Sequence, residues 1–258
     1  MTIQKEIVMD IVKQVKTMFL DREGSGQIRE KGLADFVTQV DIRVQEFVKQ
    51  ALYNAYPEIQ FMGEEKDNSD IDFSGDVWIL DPVDGTTNLI HDFRNSTLSL
   101  ALCQKGELTF GIIYHPYSEE MFWAEKGKGA WMNERRISVS DRTKMEDSLI
   151  SIGTAPYYKE LAPQNFKIFE KVFVDCADIR RLGSAALDLA YVACGRTEGY
   201  FERNLKPWDY AAGLLLVQEA GGMVTDFLGN KVDFTAPSAI VGSNGAIGKI
   251  LVEKYLNC

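Results

Sequence analysis

The hydrophobic positions of this chain change their period several times, and each change marks an element. Between residues 2 and 20, Ile3, Ile7, Val8, Ile11, Val12, Val15, Met18 and Phe19 recur at helical spacing, which predicts a helix packed by one face. Asp21 to Lys31 breaks the pattern with Gly24-Ser25-Gly26 and mixed charges, and is expected to be a mobile surface loop. Its Glu23, Glu30 and Lys31 belong more naturally to a connector than to a site. Phe36-Val37-Thr38 looks extended. Thr38 and Asp41 then stand in a capping-box-like arrangement before a helix with Val40, Val44, Phe47, Val48, Ala51 and Leu52 inward. Ile59 to Met62 predicts a short strand ending in Gly63-Glu64-Glu65. Val77 to Leu80 is a continuous apolar run bounded by Gly75 and Pro82, the pattern of a buried strand. Pro82 lacks a donor and fixes its own φ, so the strand is expected to stop and turn there.

Next come three strands, Thr97 to Gln104, Leu108 to His115 and Met121 to Ala124, separated by Gly- and Pro-containing turns: an antiparallel meander. Beyond Asp141 the texture alternates. Strands are expected at 148–153, 179–182, 199–202, 223–226 and 239–242, and helices at 164–173, from Ala185 to Cys194, from Tyr210 to Ala220 and from Ala246. The chain therefore divides into an N-terminal α+β part, 1–140, and a C-terminal α/β part, 141–258, expected to share one sheet-and-helix stack.

Two carboxylates, Asp81 and Asp84, close the apolar run at 77–80. Fully extended, they would lie roughly 10 Å apart, too far to share a small ion. A turn through Pro82-Val83 can bring both, and the Val83 carbonyl, to one point. Gly85 permits close backbone approach, and Thr86-Thr87-Asn88 offers hydroxyls and N–H groups where a helix can begin, a natural phosphate site. The plain alternative is an Asx-Pro turn with a capping residue and no chemistry. Other strand and helix ends repeat the feature. Glu64 follows a strand and a glycine, Asp209 sits in the first turn of a helix opened by Pro207 and Trp208, and Asp41 lies in a first turn as well. Oxygen ligands without His or Cys suit a hard cation, Mg²⁺ first, then Mn²⁺ or Ca²⁺.

Composition narrows the classes. With 258 residues and 45% hydrophobic content, the chain can bury a large core. No stretch approaches the ~20 apolar residues of a membrane helix, and the N-terminus is charged where a signal peptide is apolar, so a cytoplasmic protein with no membrane partner is expected. Four cysteines without C-x-x-C pairing and two histidines argue against a zinc site. Net charge is −10, which argues against a nucleic-acid partner and means that local cations must draw any anionic substrate.

Three motifs resemble, in order and spacing, those of the inositol monophosphatase family of lithium-sensitive Mg²⁺-dependent phosphatases: Gly63-Glu64-Glu65, then Trp78 to Asn88, then Trp208-Asp209 through Gly222. Gly183-Ser184-Ala185-Ala186-Leu187-Asp188-Leu189 and Phe201-Glu202 are most similar to bacterial members. The resemblance implies an α+β fold, a layered α-β-α-β-α sandwich, usually a homodimer. It implies that Glu64, Asp81, the Val83 carbonyl, Asp84 and Asp209 ligate two or three Mg²⁺, with Mn²⁺ as a substitute. Glu64 and Thr86, with Asp41 behind Thr86, would position and deprotonate the attacking water. Gly85 and Thr86 would hold phosphate, Asp84 and Asp209 would adjoin the substrate, and Gly183, Ser184, Ala185 and Glu202 would face its alcohol part. The implied activity is hydrolysis of inositol monophosphate. Rival esters are fructose 1,6-bisphosphate, NADP 2′-phosphate and 3′-phosphoadenosine nucleotides, and a non-catalytic binding protein on the same fold is the reading from another class. Arg203, Asn204 and the 21–31 stretch depart from the family pattern and leave the substrate open.

Overall fold

Alternation along one strand separates the two main cores. In β4 (Asp76–Asp84), Val77 and Ile79 enter one core cluster while Trp78 and Leu80 enter another. Side chains of a strand alternate between faces, so both faces of this sheet are covered. The structure, a computed structural model, describes residues 3–32 and 35–257. Cys258 and the side chain of Lys31 lie outside the described residues.

The larger sheet has seven strands in the order β3-β4-β5-β6-β7-β8-β9. Its other members are β3 (Gln60–Gly63), β5 (Thr97–Gln104), β6 (Glu107–His115), β7 (Glu120–Glu125), β8 (Gly129–Met132) and β9 (Arg135–Ile137). Only β3 and β4 are parallel; the rest forms the expected meander, extended by the short β8 and β9. The smaller sheet has the order β11-β10-β12-β14-β13, from β10 (Leu149–Ile152), β11 (Asp178–Arg180), β12 (Gly199–Leu205), β13 (Met223–Thr225) and β14 (Ser238–Ser243). Strand β10 runs parallel to both neighbours, and β14 is antiparallel to both of its own.

Three helical layers enclose these sheets. Helices α1 (Lys5–Lys13), α2 (Lys16–Phe19) and α4 (Gln39–Ala55) pack Val8, Val12, Phe19, Val44 and Val48 against Trp78, Leu100 and Ile112. Helices α7 (Ala185–Ala193) and α8 (Pro207–Glu219) lie between the sheets, joining Ile79 and Phe122 on one side to Tyr200 and Ile240 on the other. Helices α6 (Ala162–Asp175) and α9 (Ala246–Leu251) cover Ile150, Phe201 and Val241 outside the smaller sheet. The result is an α-β-α-β-α stack. A helix between two sheets has no wet face, and α8 is accordingly apolar nearly all round, from Tyr210 to Val217.

Three expectations need correction. The strand does not stop at Pro82. It continues to Asp84 across a bulge, because Asp81 pairs with Ser99 while Asp84 pairs with Thr97. A bulge leaves a residue unpaired, so a proline without a donor is tolerated there. Nor is 21–31 a loop. It holds α3 (Arg22–Gly26), capped by Asp21 Oδ1 accepting from Gly24 N at 3.0 Å, and the strand β1 (Ile28–Gly32), paired with β2 (Asp35–Thr38). The first helix also breaks in two, between Lys13 and Lys16.

The central layer tolerates little added volume. A Cβ at Gly111 on β6 would stand 3.0 Å from the Ala212 carbonyl oxygen and 3.2 Å from its Cα on α8. Backbone cannot swing aside as a side chain can. Gly111→Ala should therefore cost about 1–3 kcal/mol in urea unfolding, with the folded circular dichroism spectrum retained. No loss of stability would mean the sheet and α8 can separate freely.

Candidate active site

The bulge in β4 does what a turn was expected to do. It places Asp81, Val83 and Asp84 on the wall of one cavity of about 430 Å³. Glu64 reaches the same wall from the end of β3, and Asp209 from the first turn of α8. Gly85 and Thr86, opening α5 (Thr86–Ile90), line it too, as do Gly183, Ala185 and Glu202. Four segments far apart in sequence thus converge.

Asp81, Asp84 and Asp209 are each pinned by one oxygen. Asp81 Oδ1 accepts from Val83 N at 3.0 Å. Asp209 Oδ2 accepts from Lys206 N at 2.7 Å. Asp84 Oδ2 accepts from both the Ser184 hydroxyl and Ala186 N, each at 2.6 Å. Ser184 also caps α7 through Leu187 N and meets the Thr97 hydroxyl at 3.1 Å. It is 2% exposed and lies behind the wall. The expectation that it faces substrate is corrected on that ground: its hydroxyl is already used to hold Asp84.

Asp41 stands behind Thr86. The Thr86 hydroxyl donates to Asp41 Oδ1 at 2.8 Å and lies 3.1 Å from the Val83 carbonyl oxygen. Asp41 Oδ2 accepts from Thr38 N and the Thr38 hydroxyl, which completes the capping box of α4. Gly85 is needed for geometry. Its φ is +90°, and a Cβ there would lie 2.9 Å from the Gly183 carbonyl oxygen.

Glu202 is held at both oxygens. Ala155 N donates to Oε1 at 2.7 Å and the Tyr200 hydroxyl to Oε2 at 2.6 Å. A side chain at Gly153 would collide with this carboxyl. Ala155 is in the left-handed region, φ +46°, so its N–H bond to Glu202 supports a strained turn that brings Pro156, Tyr157 and Tyr158 to the cavity. Sequence reading passed over Gly153 to Tyr158, which show no pattern apart from their strand, and over Asp188. The latter is 1% exposed at the cavity floor, and its Oδ1 accepts no hydrogen bond among the described residues. A charged residue in the first turn of an otherwise apolar helix was the available signal.

Burial and mutual repulsion raise the proton affinity of these acids. Asp81 is pushed well above the usual range by burial first, then by Glu64, Asp84 and Asp209. Asp209 is pushed well up by burial, then by Asp84 and Glu64. Burial raises Asp84 to about 6 against the bonds from Ser184 and Ala186. Among the described residues no three His, Cys, Asp or Glu side chains already stand as a finished metal cage. The donor set still fits a hard cation: oxygen only, acidic, and with no lysine or arginine side-chain charge among the chief influences on Asp81, Asp84 or Asp209.

With this geometry in place, comparison decides the kinship. The sequence pattern of the inositol monophosphatase family matches residues 1–257. The chain belongs to that family. It is 40% identical over 227 residues to an inositol-1-monophosphatase of Rhizobium meliloti (strain 1021), covering 88% of this chain and 85% of the relative. It is 41% identical over 203 residues to a protein of Xylella fastidiosa (strain Temecula1) named Nus factor SuhB, covering 78% of this chain and 72% of that one. The crystal structure of the extragenic suppressor protein suhB from Bartonella henselae superposes with a TM-score of 0.90 at 36% identity, over 97% of this chain and 98% of that one. The family is one of metal-dependent phosphatases, and its layered α+β architecture is the one described above.

The raised acids give a pH prediction for the metal-free protein. A carboxyl whose folded pKa lies above its unfolded value favours the fold at low pH, and that contribution is lost as pH rises through the folded value. For Asp84 the loss falls between about 4 and about 6. Asp84→Asn should remove it. In chelator at pH 7.5 the variant should melt higher than the parent, with a shallower dependence of Tm on pH between 4.5 and 7.5. A lower melting temperature would mean that the bonds from Ser184 and Ala186 need the charged carboxylate.

Proposed function

We propose that the chain is a Mg²⁺-dependent phosphomonoesterase that hydrolyses inositol monophosphate to inositol and phosphate. The observation that carries it is the convergence on one cavity of Glu64, Asp81, Val83, Asp84 and Asp209 with the Asp41–Thr86 pair at its wall. Glu64, Asp81, the Val83 carbonyl, Asp84 and Asp209 would hold two or three Mg²⁺, or Mn²⁺ as a substitute. Bound there, the ions would supply Lewis acidity, lowering the pKa of water, clamping phosphoryl oxygens and steadying the leaving alkoxide.

The chain's own groups do the rest. Asp41, fixed by Thr38, orients the Thr86 hydroxyl toward the cavity, and Thr86 with Glu64 holds a water and takes its proton. The N–H groups of Gly85 and Thr86 hold the phosphate. Gly183 and Ala185 pack against the alcohol. Glu202 keeps lone pairs beyond its two internal bonds, and these suit polyol hydroxyls. Water is the nucleophile, so no phosphoenzyme is needed. The protein is proposed to work in the cytoplasm as a homodimer; no helix among the described residues is long and apolar enough to cross a membrane. Relatives named Nus factor support a second reading, a partner-binding role beside catalysis. A catalytically silent Asp84→Asn variant that still restores growth of a strain lacking the protein would favour it.

Metal removal tests the chemistry first. Phosphate release from inositol 1-phosphate should vanish in chelator and return with Mg²⁺. Release that persists in chelator would sink the carboxylate-site reading.

Thr86→Ala tests the relay. It should lower kcat by roughly 10²–10⁴-fold and leave KM within a few-fold, because the hydroxyl serves the water and not the bound ester. Thr86→Ser, which keeps the hydroxyl, should recover most of the rate. A change confined to KM would reassign Thr86 to substrate binding.

A further inference from the structure

Helix α4 reaches the site at two points. Asp41 and Gln45 are four residues apart in it, so their side chains leave one face about 6 Å apart along the axis. Both are buried, Asp41 at 0% exposure and Gln45 at 3%. The rest of that face presents Val40, Val44 and Val48 to the core, where polar side chains are unusual. Each has a partner at the site. Asp41 Oδ1 accepts from the Thr86 hydroxyl at 2.8 Å, and Gln45 Oε1 accepts from Glu65 N at 2.9 Å. The first bond holds Thr86 itself; the second holds the residue next to Glu64.

The turn at 63–65 is gripped from two layers. Up to Glu64 the grip comes from the sheet side. Asn68 Oδ1 accepts from Gly63 N at 3.2 Å, Asn68 Nδ2 donates to the Gly63 carbonyl oxygen at 2.8 Å, and Glu64 N donates to the Leu80 carbonyl oxygen at 3.2 Å. Past Glu64, the N–H of Glu65 is taken up by Gln45 from the helical layer. Gly63 makes that reach possible, since a Cβ there would lie 2.4 Å from Gln45 Oε1 and 3.1 Å from its Cδ. With its backbone held before and after, Glu64 can move only through its own side chain.

We infer that Gln45 is a positioning residue for Glu64, and that α4 is the spacer that sets Glu64 against Thr86. The inference rests on the phosphatase reading, in which these two residues share the attacking water and Glu64 also faces the metal. The plain alternative is that Gln45 satisfies a buried N–H, as any buried donor requires, and does nothing more. Such a bond would add stability and leave turnover alone. The pairing of Gln45 with Asp41 favours the spacer. One helical face, whose rise per residue is fixed, holds both water-handling residues, one directly and one through its neighbour. A misplacement of about 1 Å in such a group costs on the order of 10²-fold in rate, so their spacing is what the chemistry is sensitive to.

The test compares full-length variants well below their melting temperatures. Gln45→Met keeps the side chain's length and removes the acceptor, and Gln45→Glu keeps an acceptor oxygen. Val48→Ala, on the same helix but buried away from the turn, is the stability control. With inositol 1-phosphate and Mg²⁺, Gln45→Met should lower kcat by roughly 10–100-fold and leave KM within a few-fold. Gln45→Glu should recover most of that loss, and Val48→Ala should lower Tm while kcat stays put. In a Glu64→Gln background, Gln45→Met should cost less than about threefold, because the group it acts through is already gone. Should Gln45→Met fail to fold, Gly63→Ala displaces the same contact from the other side and carries the same comparison. A second arm needs no turnover: in calorimetric titration with Mg²⁺, Gln45→Met should bind severalfold more weakly than the parent, and Val48→Ala should not. Parental kcat in Gln45→Met overturns the inference, as does an equal loss in both backgrounds. If the parent releases no phosphate, the phosphatase reading falls and the Mg²⁺ arm alone decides. Weakened binding then keeps Gln45 as the residue that positions a metal ligand, and unchanged binding overturns it too.

Discussion

The structure depends on a clasp at Asp84. One carboxylate oxygen, at the far end of the bulged strand β4, accepts from the Ser184 hydroxyl and from Ala186 N at the start of α7. These bonds join the seven-stranded sheet to the central helical layer, and that layer carries the smaller sheet on its other face. Nearby, Asn88 Nδ2 lies 2.8 Å from the Leu182 carbonyl oxygen and 2.9 Å from that of Asn95, tying the same two regions together. This joint sets Glu202 and Gly183 on one side against Asp81 and Thr86 on the other, within a frame that the shared core also holds. A buried carboxylate accepting two short bonds is costly to leave half-satisfied, so the junction has little slack.

Repulsion works against the joint. Glu64, Asp81, Asp84 and Asp209 raise one another's proton affinity, and burial adds to it. A stack stabilised only at the site would be pushed open there. What opposes this is packing some distance away. The middle layer is built from small residues at close approach: Gly213 leaves room for Leu189, and Gly111 accepts the backbone of Ala212. Close packing of this kind transmits position well because it cannot deform gradually. The acids are thus held near each other by contacts that contain no charge.

Periodicity made the layers legible. The continuous apolar run of 77–80, helical spacing in 40–52 and the unbroken apolar run of 210–217 each translate directly into burial. The carboxylates were legible for a different reason: each stands at an element's end, where a polar residue has no packing role. What stayed hidden depended on pairing across long separations. Pro82 looks like a stop, and only its partner strand shows that two residues, Pro82 and Val83, face one, Leu98, and the strand can continue. The 21–31 stretch carries too few apolar residues to declare itself; Arg43 beside Asp21 holds it to α4, and Arg22 Nη1 donating to the Leu89 carbonyl oxygen at 3.0 Å holds it to α5. Ser184 sits within a site motif, yet its serine hydroxyl faces a carboxylate and not the cavity. A motif specifies neighbours in sequence, not the direction in which a side chain points.

Chemistry and selection are carried by different kinds of backbone. Asp81, Asp84 and Asp209 lie in a strand or a helix whose positions the core dictates, so their spacing is nearly independent of the loops. The opposite side of the cavity is made from the turn at 153–158, the stretch 203–206 and Arg181, which hang on a few bonds such as Ala155 N to Glu202. Changes there cost little core packing. Ala155 and Asn204, both with positive φ, show that these turns are shaped by local geometry that a sequence can rewrite one residue at a time. Glu202 is the point where the two parts meet, since one of its oxygens supports the Ala155 turn and the other accepts from Tyr200 within the central core. Its position separates two parts of the cavity: the acidic part is fixed by the sheets and α8, and the turns around it can change about a single anchored carboxylate.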